Sequence, residues 1–411
     1  MTSGNKIIDK PLQNILLLGL YLFSLLFLGS YKIGPLSMRN YMTLLSIGYI
    51  LMHMKYIHFD AGFRWYILYV TLLVFLSFIN GDYASSEFWR TIVGYHIVCI
   101  ILYIALTIYV RDNIKVNYIV GILFTFYLVN GFITILQFNG NPTGWLIGEI
   151  ISPQNAATIN EYDDVLQLSD SMLNYSLVGG LWGYAVANGY FTATYLPIVS
   201  MLVWNNKKEI LLGIFMLIYA VVICYMVQQR MAFILVVLYI LFIIFTRTNL
   251  FAKILLFIGV LFLMSSESIM FDLDMGRLNF DQKNEDRLEL LEDFDSFLDS
   301  GNVIFGGYSD YINRFGELGQ HNTFLDVWTR SGFVGLLAFC VLFAIVVYRS
   351  ITIAYCSYAK RYYNIFALSI SCIIFLLYSM THSSGLQSGA VIFWLPYTLM
   401  MVSYNINMKN I

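Results

Sequence analysis

Charge is what this chain has least of. Only 12% of its 411 residues are charged, where an ordinary soluble domain carries about 25%. Apolar residues make up 59% and aromatics 17%, with a mean hydropathy of +0.71. That balance excludes a soluble globular domain and gives a nucleic-acid partner nothing to bind. Cysteine is also sparse. Cys99, Cys224, Cys340, Cys356 and Cys372 show no CxxC or histidine-rich spacing, which excludes a disulfide framework and a zinc site. Nucleotide signatures are missing: there is no Walker motif, no G-x-G-x-x-G after a strand, and no cytosolic domain in which a D-x-D pair could hold a metal and a nucleotide sugar. The activity therefore consumes no nucleotide, and no cofactor or metal is expected. No internal repeat or low-complexity tract breaks the pattern.

What the sequence has in abundance is apolar runs of spanning length. They lie near residues 12–28, 40–54, 64–80, 92–110, 117–137, 185–204, 209–227, 231–246, 251–266, 332–349, 363–381 and 390–404. These are continuous, not the alternating ten-residue strands of a barrel, so they predict helices. The fold expected is an all-α polytopic membrane protein of about 12 transmembrane helices. It divides into residues 1–266 with the first nine spans and an outer loop at 137–184, a large loop at 267–330, and residues 331–411 with the last three spans. The polar start, with Lys6 and Lys10, precedes a full-length apolar run without a small-residue cleavage site, and reads as a first span and not a removed signal.

Short-loop basic residues set the expected orientation. With the N-terminus in the cytoplasm, the inner side collects Lys55, Arg64, Lys115, Lys207, Lys208, Arg247, Lys360 and Arg361, while only Asp9, Asp60, Asp112 and Glu209 among the acidic residues fall inside. Lys32 and Arg39 in the first outer loop oppose this assignment. The orientation expected puts both termini in the cytoplasm and the long loops on the outer face of the membrane.

The long loop carries Asp272, Asp274, Asp281, Glu285, Asp286, Glu289, Glu292, Asp293, Asp295 and Asp299, and so cannot lie in hydrocarbon. Within it, Leu288, Leu291, Phe294 and Leu298 recur at helical spacing and predict an amphipathic helix over 284–300, lying lid-like on the bundle. The earlier outer segment ends in the glycine-rich stretch Gly179 to Gly189, which predicts a bent or re-entrant lead into the sixth span.

Few residues are candidates for chemistry. Arg230, after Gln228 and Gln229 at a tight outer junction, either snorkels to lipid headgroups or holds a phosphate with its planar fork of donors. Arg287 opens the amphipathic helix with no acid three or four residues away, and is either solvated or a second phosphate contact. His321 has the side chain able to take a proton near neutral pH, although a lone loop histidine is also an ordinary surface residue. His382, in Met380-Thr381-His382-Ser383, is a second histidine at an outer span end.

These residues, in order, resemble a known family. Arg287, then Phe305-Gly306-Gly307-Tyr308, then His321-Asn322-Thr323-Phe324-Leu325, then Arg330-Ser331-Gly332-Phe333-Val334-Gly335 is similar to the outer loop of the O-antigen polymerase and ligase superfamily. Arg230 resembles that family's earlier arginine, although Gln229 stands where a small or hydroxyl residue is usual. Trp182-Gly183-Tyr184 through Asn188 looks like a degenerate glycine-asparagine motif. The resemblance spans residues 177–340. It implies a metal-independent, inverting glycosyl transfer from an undecaprenyl-diphosphate-linked oligosaccharide at the periplasmic face, with membrane lipid and a chain-length regulator as partners. It also implies catalytic roles for His321, Arg230 and Arg287, and substrate contacts from Asn322, Arg314, Tyr308, His382 and Asn188.

Three functions fit this reading. The first is a polymerase of repeat units, favoured because the outer surface is not strongly basic as a phosphorylated acceptor would require. The second is a ligase to lipid A core. The third is a transporter or flippase of lipid-linked sugars, which would place ionisable groups at the bilayer midplane and show symmetric halves.

Overall fold

The computed structural model describes residues 11–29, 31–34, 36–53, 59–110, 113–151, 178–183, 185–204, 209–247, 297–299, 302–309, 311, 322–380 and 386–408. Among these the architecture is all-α, with a single two-residue β-ribbon, β1 (Lys32–Ile33) against β2 (Leu36–Ser37). The helices are α1 (Pro11–Leu26), α2 (Met38–Met52), α3 (Ala61–Asn80), α4 (Ser86–Thr91), α5 (Val98–Tyr109), α6 (Asn113–Phe138), α7 (Pro142–Ile151), α8 (Ala185–Val199), α9 (Ile210–Val227), α10 (Arg230–Arg247), α11 (Thr323–Ala359), α12 (Tyr363–Ser379) and α13 (Val391–Met408). Every apolar run expected from the sequence coincides with a helix except 251–266, which lies outside the described residues. Among the described residues seven helical stretches are long and apolar enough to cross a membrane: α3, α4 with α5, α6, α8, α9, α10 and α11. The chain is a membrane protein.

The two bundle ends differ. At one, Asp60 caps α3 through its Oδ1, which accepts from Gly62 N at 2.8 Å and Phe63 N at 3.3 Å. The same carboxylate takes the Tyr397 hydroxyl at 2.9 Å and the Tyr103 hydroxyl. It is buried yet fully hydrogen-bonded at a helix N-terminus, so its charge is stabilised in place. At the other end, about 30 Å away along the 20 residues of α3, lie Asp82, the segment 302–309 with Tyr311, and the start of α11; this is the loop end.

Packing centres on α8, which is buried along almost its whole length. It lies between α9, α10 and α12, and reads as apolar all round because it faces protein on every side. Aromatic rings fill the space around it: Tyr190 against Tyr378 at 3.9 Å, and Phe191 against Phe27, Trp182 and Tyr195.

Two helices differ from the sequence expectation. The apolar run at 332–349 is the middle of the 37-residue α11, which begins at Thr323, inside the stretch assigned to the large loop. Polar residues start this helix because they find partners there, as described below. The run at 92–110 is preceded by α4 and opens with a π-helical turn, Ile92–Ile97. Arg39, which opposed the orientation as a loop charge, does not sit free in a loop. Its guanidinium donates to Gly94 O at 3.3 Å, in that π turn, and lies over the Tyr95 ring.

The glycine-rich stretch forms a bend. Gly180 and Gly183 take positive φ around a 3-10 turn, Gly180–Trp182. The bend is held from α6: Gln137 Oε1 accepts from Gly180 N at 2.8 Å, and its Nε2 donates to Gly144 O and Gly180 O. Thus 137–184 is not a simple loop; it includes α7 packed back on α6 and a turn buried in the bundle. The amphipathic helix expected over 284–300 falls almost wholly outside the described residues.

Candidate functional site

Three backbone irregularities meet at the loop end. The first is the break in α11 at Gly332, which has φ 65 and ψ −174. The turn at Asn302 to Gly306 docks into it: Phe333 N donates to Val303 O at 2.9 Å and Val334 N to Ile304 O at 3.2 Å. A break in a helix frees amide and carbonyl groups that must be satisfied, and here another segment supplies the acceptors. The second irregularity is the π turn containing His96, and the third is the short 3-10 turn Leu386–Ser388 before α13. Gly389, at positive φ, lies against the backbone of Tyr95 and His96. Such departures from regular helix concentrate at functional sites.

Between them is a cavity of about 40 Å³ lined by Asn80, Asp82, His96, Tyr308, Arg330 and Gln387, with apolar walls from α3. By the measure that gives one water about 10–15 Å³, it holds a few waters or one small polar group. A whole sugar does not fit.

Arg330 is the central charge. Its Nη2 lies 3.1 Å from Oδ1 of Asp326, which is fully buried one helical turn earlier. The same Nη2 donates to the Tyr311 hydroxyl at 3.0 Å, and that hydroxyl donates to Asp326 Oδ1 at 2.5 Å. Gln387 Nε2 reaches the other carboxylate oxygen at 3.4 Å. The guanidinium stacks over the Tyr311 ring, centroid 4.3 Å away, and stands near Tyr308 at 5.8 Å. Burial, reinforced by the adjacent Asp326 carboxylate, raises the Tyr311 phenol well above its ordinary value. It remains a neutral hydrogen-bond donor.

Tyr308 is positioned from α3. Asp82 accepts from Tyr308 N at 2.7 Å and Ser309 N at 3.0 Å, so a carboxylate caps the short turn. The Tyr308 hydroxyl lies 3.3 Å from Thr91 Oγ1, and its ring packs edge-on against Phe88.

The other sequence candidates are distributed as follows. Asn322 is the N-cap of α11, and its Oδ1 accepts from Phe324 N at 2.9 Å and Leu325 N at 3.2 Å. It fixes where the helix starts. Thr323 then hydrogen-bonds the Ser379 carbonyl of α12. Asn188 is fully buried in α8, where its Oδ1 accepts from Asn130 at 2.7 Å and its Nδ2 donates to Thr134 at 3.0 Å. Asn130 in turn accepts from Leu181 N at 2.9 Å. Asn188 thus belongs to the network that shapes the 180–183 bend. Arg230 is half-buried as the first residue of α10, at the loop end. His321, Arg287, Arg314 and His382 lie outside the described residues.

The structure adds residues that sequence reasoning did not select as site residues: Arg330, Tyr311, Asp82, Gln387 and His96. Asp326 and Arg330 carry a legible signal, an acid and an arginine four residues apart. Asp82, His96 and Gln387 carry none, because they come from three separate elements. No ion-binding cluster of His, Cys, Asp or Glu occurs among the described residues.

No protein-family model matches this chain, and no curated protein sequence matches it.

Proposed function

We propose that this protein is a polysaccharide polymerase, similar to the O-antigen polymerases, that joins undecaprenyl-diphosphate-linked repeat units at the loop end of the bundle. The observation that carries the reading is the joining of two stretches far apart in sequence. The Phe305-Gly306-Gly307-Tyr308 turn docks into the break at Gly332, so that Tyr308 and Arg330 line one polar cavity, with Arg330 held by Asp326. Asn322, directly after His321, starts the same helix.

In this reading the loop end faces the periplasm. Arg64, Lys115, Arg247, Lys360 and Arg361 all lie toward the Asp60 end, as expected of a cytoplasmic face. Arg230 and Arg287 neutralise the departing diphosphate, and His321 accepts the proton of the acceptor hydroxyl as it attacks the anomeric carbon. The bond to the diphosphate breaks as the new glycosidic bond forms, with inversion. Arg330, already committed to Asp326 and Tyr311, positions the wall of the site and does not bind the leaving group. A transporter is less well supported. Among the described residues α3, α5, α6, α8, α9, α10 and α12 carry no charge in their middles, where a coupling site would need one.

The test is to incubate the purified protein with a lipid-linked repeat unit, without nucleotide or metal. Lengthening of the glycan supports the reading. Movement of the lipid across vesicles without lengthening supports the transporter instead. Deletion strains separate the two transfer reactions: a single capped repeat unit indicates loss of a polymerase, and bare core with accumulated lipid-linked polymer indicates loss of a ligase.

A further inference from the structure

At the Asp60 end, away from the site above, α1, α2, α5 and α6 diverge and leave a groove of about 640 Å³. This lies within the roughly 300–1,000 Å³ typical of small-molecule sites. Aliphatic residues dominate the walls, among them Leu18, Leu45 and Leu106. The floor is the Tyr21 hydroxyl hydrogen-bonded to Ser46 Oγ at 2.7 Å, which closes the polar atoms on each other and leaves an apolar surface. Leu17, Leu45 and Ile114 at the rim are 58%, 63% and 61% exposed, so the opening is sideways, into the lipid.

The mouth is different in kind. Lys115, in the first turn of α6, lines it together with Tyr49, Tyr109 and Tyr118. Its ammonium is held at the mouth by Tyr109, donating to the carbonyl at 3.1 Å and lying over the ring at 4.7 Å. An ammonium on an aromatic rim at a membrane interface, above an apolar trough, matches a lipid's own division into anionic head and acyl chain. Arg64, Arg247, Lys360 and Arg361 lie at this end, together with Asp60, which is buried and hydrogen-bonded by Tyr397, and Glu209 before α9.

We propose that this groove is a specific site for one anionic phospholipid of the leaflet at the Asp60 end, with an acyl chain between α1, α2, α5 and α6 and the headgroup phosphate at Lys115. The site is independent of the glycan chemistry proposed above and uses none of its residues.

Native mass spectrometry of the detergent-purified protein, titrated with phosphatidylglycerol or with phosphatidylcholine, tests it. Phosphatidylglycerol should be retained at one molecule per chain, at least tenfold more tightly than phosphatidylcholine. Lys115→Gln should remove that preference. Leu45→Trp, at a lipid-facing position where a larger side chain is tolerated, should fill the trough and weaken retention of both lipids. A thermal melt of each variant without added lipid confirms that it is folded. Equal binding of the two lipids by the unaltered protein overturns the proposal, as does unchanged phosphatidylglycerol retention in folded Lys115→Gln and Leu45→Trp.

Discussion

Gly306 and Gly332 hold each other in place: both take positive φ, at 68 and 65, and a Cβ on either would overlap the backbone nitrogen of the other. The pair is the point at which the loop turn enters the break in α11. A side chain here would strain the positive-φ backbone, by about 1–3 kcal/mol in the glycine-only region that Gly332 occupies, and would also push apart the hydrogen bonds from Phe333 and Val334.

Gly332→Ala and Gly306→Ala should therefore both lower thermal stability in detergent, and both should abolish activity by displacing Tyr308. Gly34→Ala is the control, because Gly34 shares the positive φ but a Cβ there meets nothing within 4 Å. It should cost only the backbone strain. If all three variants melt alike, the interlocking of turn and helix is not what matters.

Removing Arg330 should be far worse than removing the whole charge pair. Arg330→Leu leaves the buried Asp326 carboxylate with hydroxyl and amide partners only, a loss of about 3–5 kcal/mol for a broken buried pair. The double variant with Asp326→Leu removes the orphaned charge and should recover part of that stability. A double-mutant cycle on unfolding reads the coupling directly; additive losses would mean that the two side chains act independently.

The Asn130, Asn188 and Gln137 network should behave as a structural unit. Asn130→Ala leaves the Leu181 amide and the Asn188 side chain short of partners, at about 1–3 kcal/mol for each buried polar group left unpaired. Adding Asn188→Ala to it should cost less than the sum of the single losses. Proteolysis within 178–183 is the local readout, and it should rise in Asn130→Ala before global melting changes.

For the proposed chemistry, Arg230→Lys should reduce polymer formation severely, because lysine keeps the charge but loses the two-pronged contact with diphosphate oxygens. A residue that only anchors to headgroups tolerates this change. His321 must be neutral to accept a proton, so activity should fall as pH drops through about 6.5. His321→Gln should bind the lipid-linked donor and turn it over slowly. Near-normal turnover in His321→Gln would assign the histidine to positioning and leave His382, Glu317 and Asp326 to be tried as the base.

Orientation is open to chemical labelling. Cysteines placed at positions 160 and 300 should react with an impermeant thiol reagent in cells whose outer membrane is permeabilised, and a cysteine at 207 should not. The reverse pattern would put the loop end in the cytoplasm.

The apolar runs, read at 1.5 Å per residue, were enough to locate the helices, because in hydrocarbon the backbone has no other way to satisfy its own hydrogen bonds. The glycine-rich bend at 180–183 was equally readable, since positive φ selects glycine. Both are local constraints written in consecutive residues. The cluster at the loop end is not local. Asp82 from the 3-10 turn after α3, His96 from a π turn, Tyr308 and Tyr311 from the loop and Gln387 from before α13 converge on Arg330 only once the helices pack. Nothing in their sequence spacing encodes that distance. The early start of α11 escaped for the same reason: Asp326 and Arg330 read as loop polarity in one dimension, whereas Tyr311 and Gln387 satisfy them in three. Asn188 shows the converse. Its motif suggested a ligand contact, and the tertiary structure commits its amide to Asn130 and Thr134, because a buried polar group must find partners wherever packing puts it.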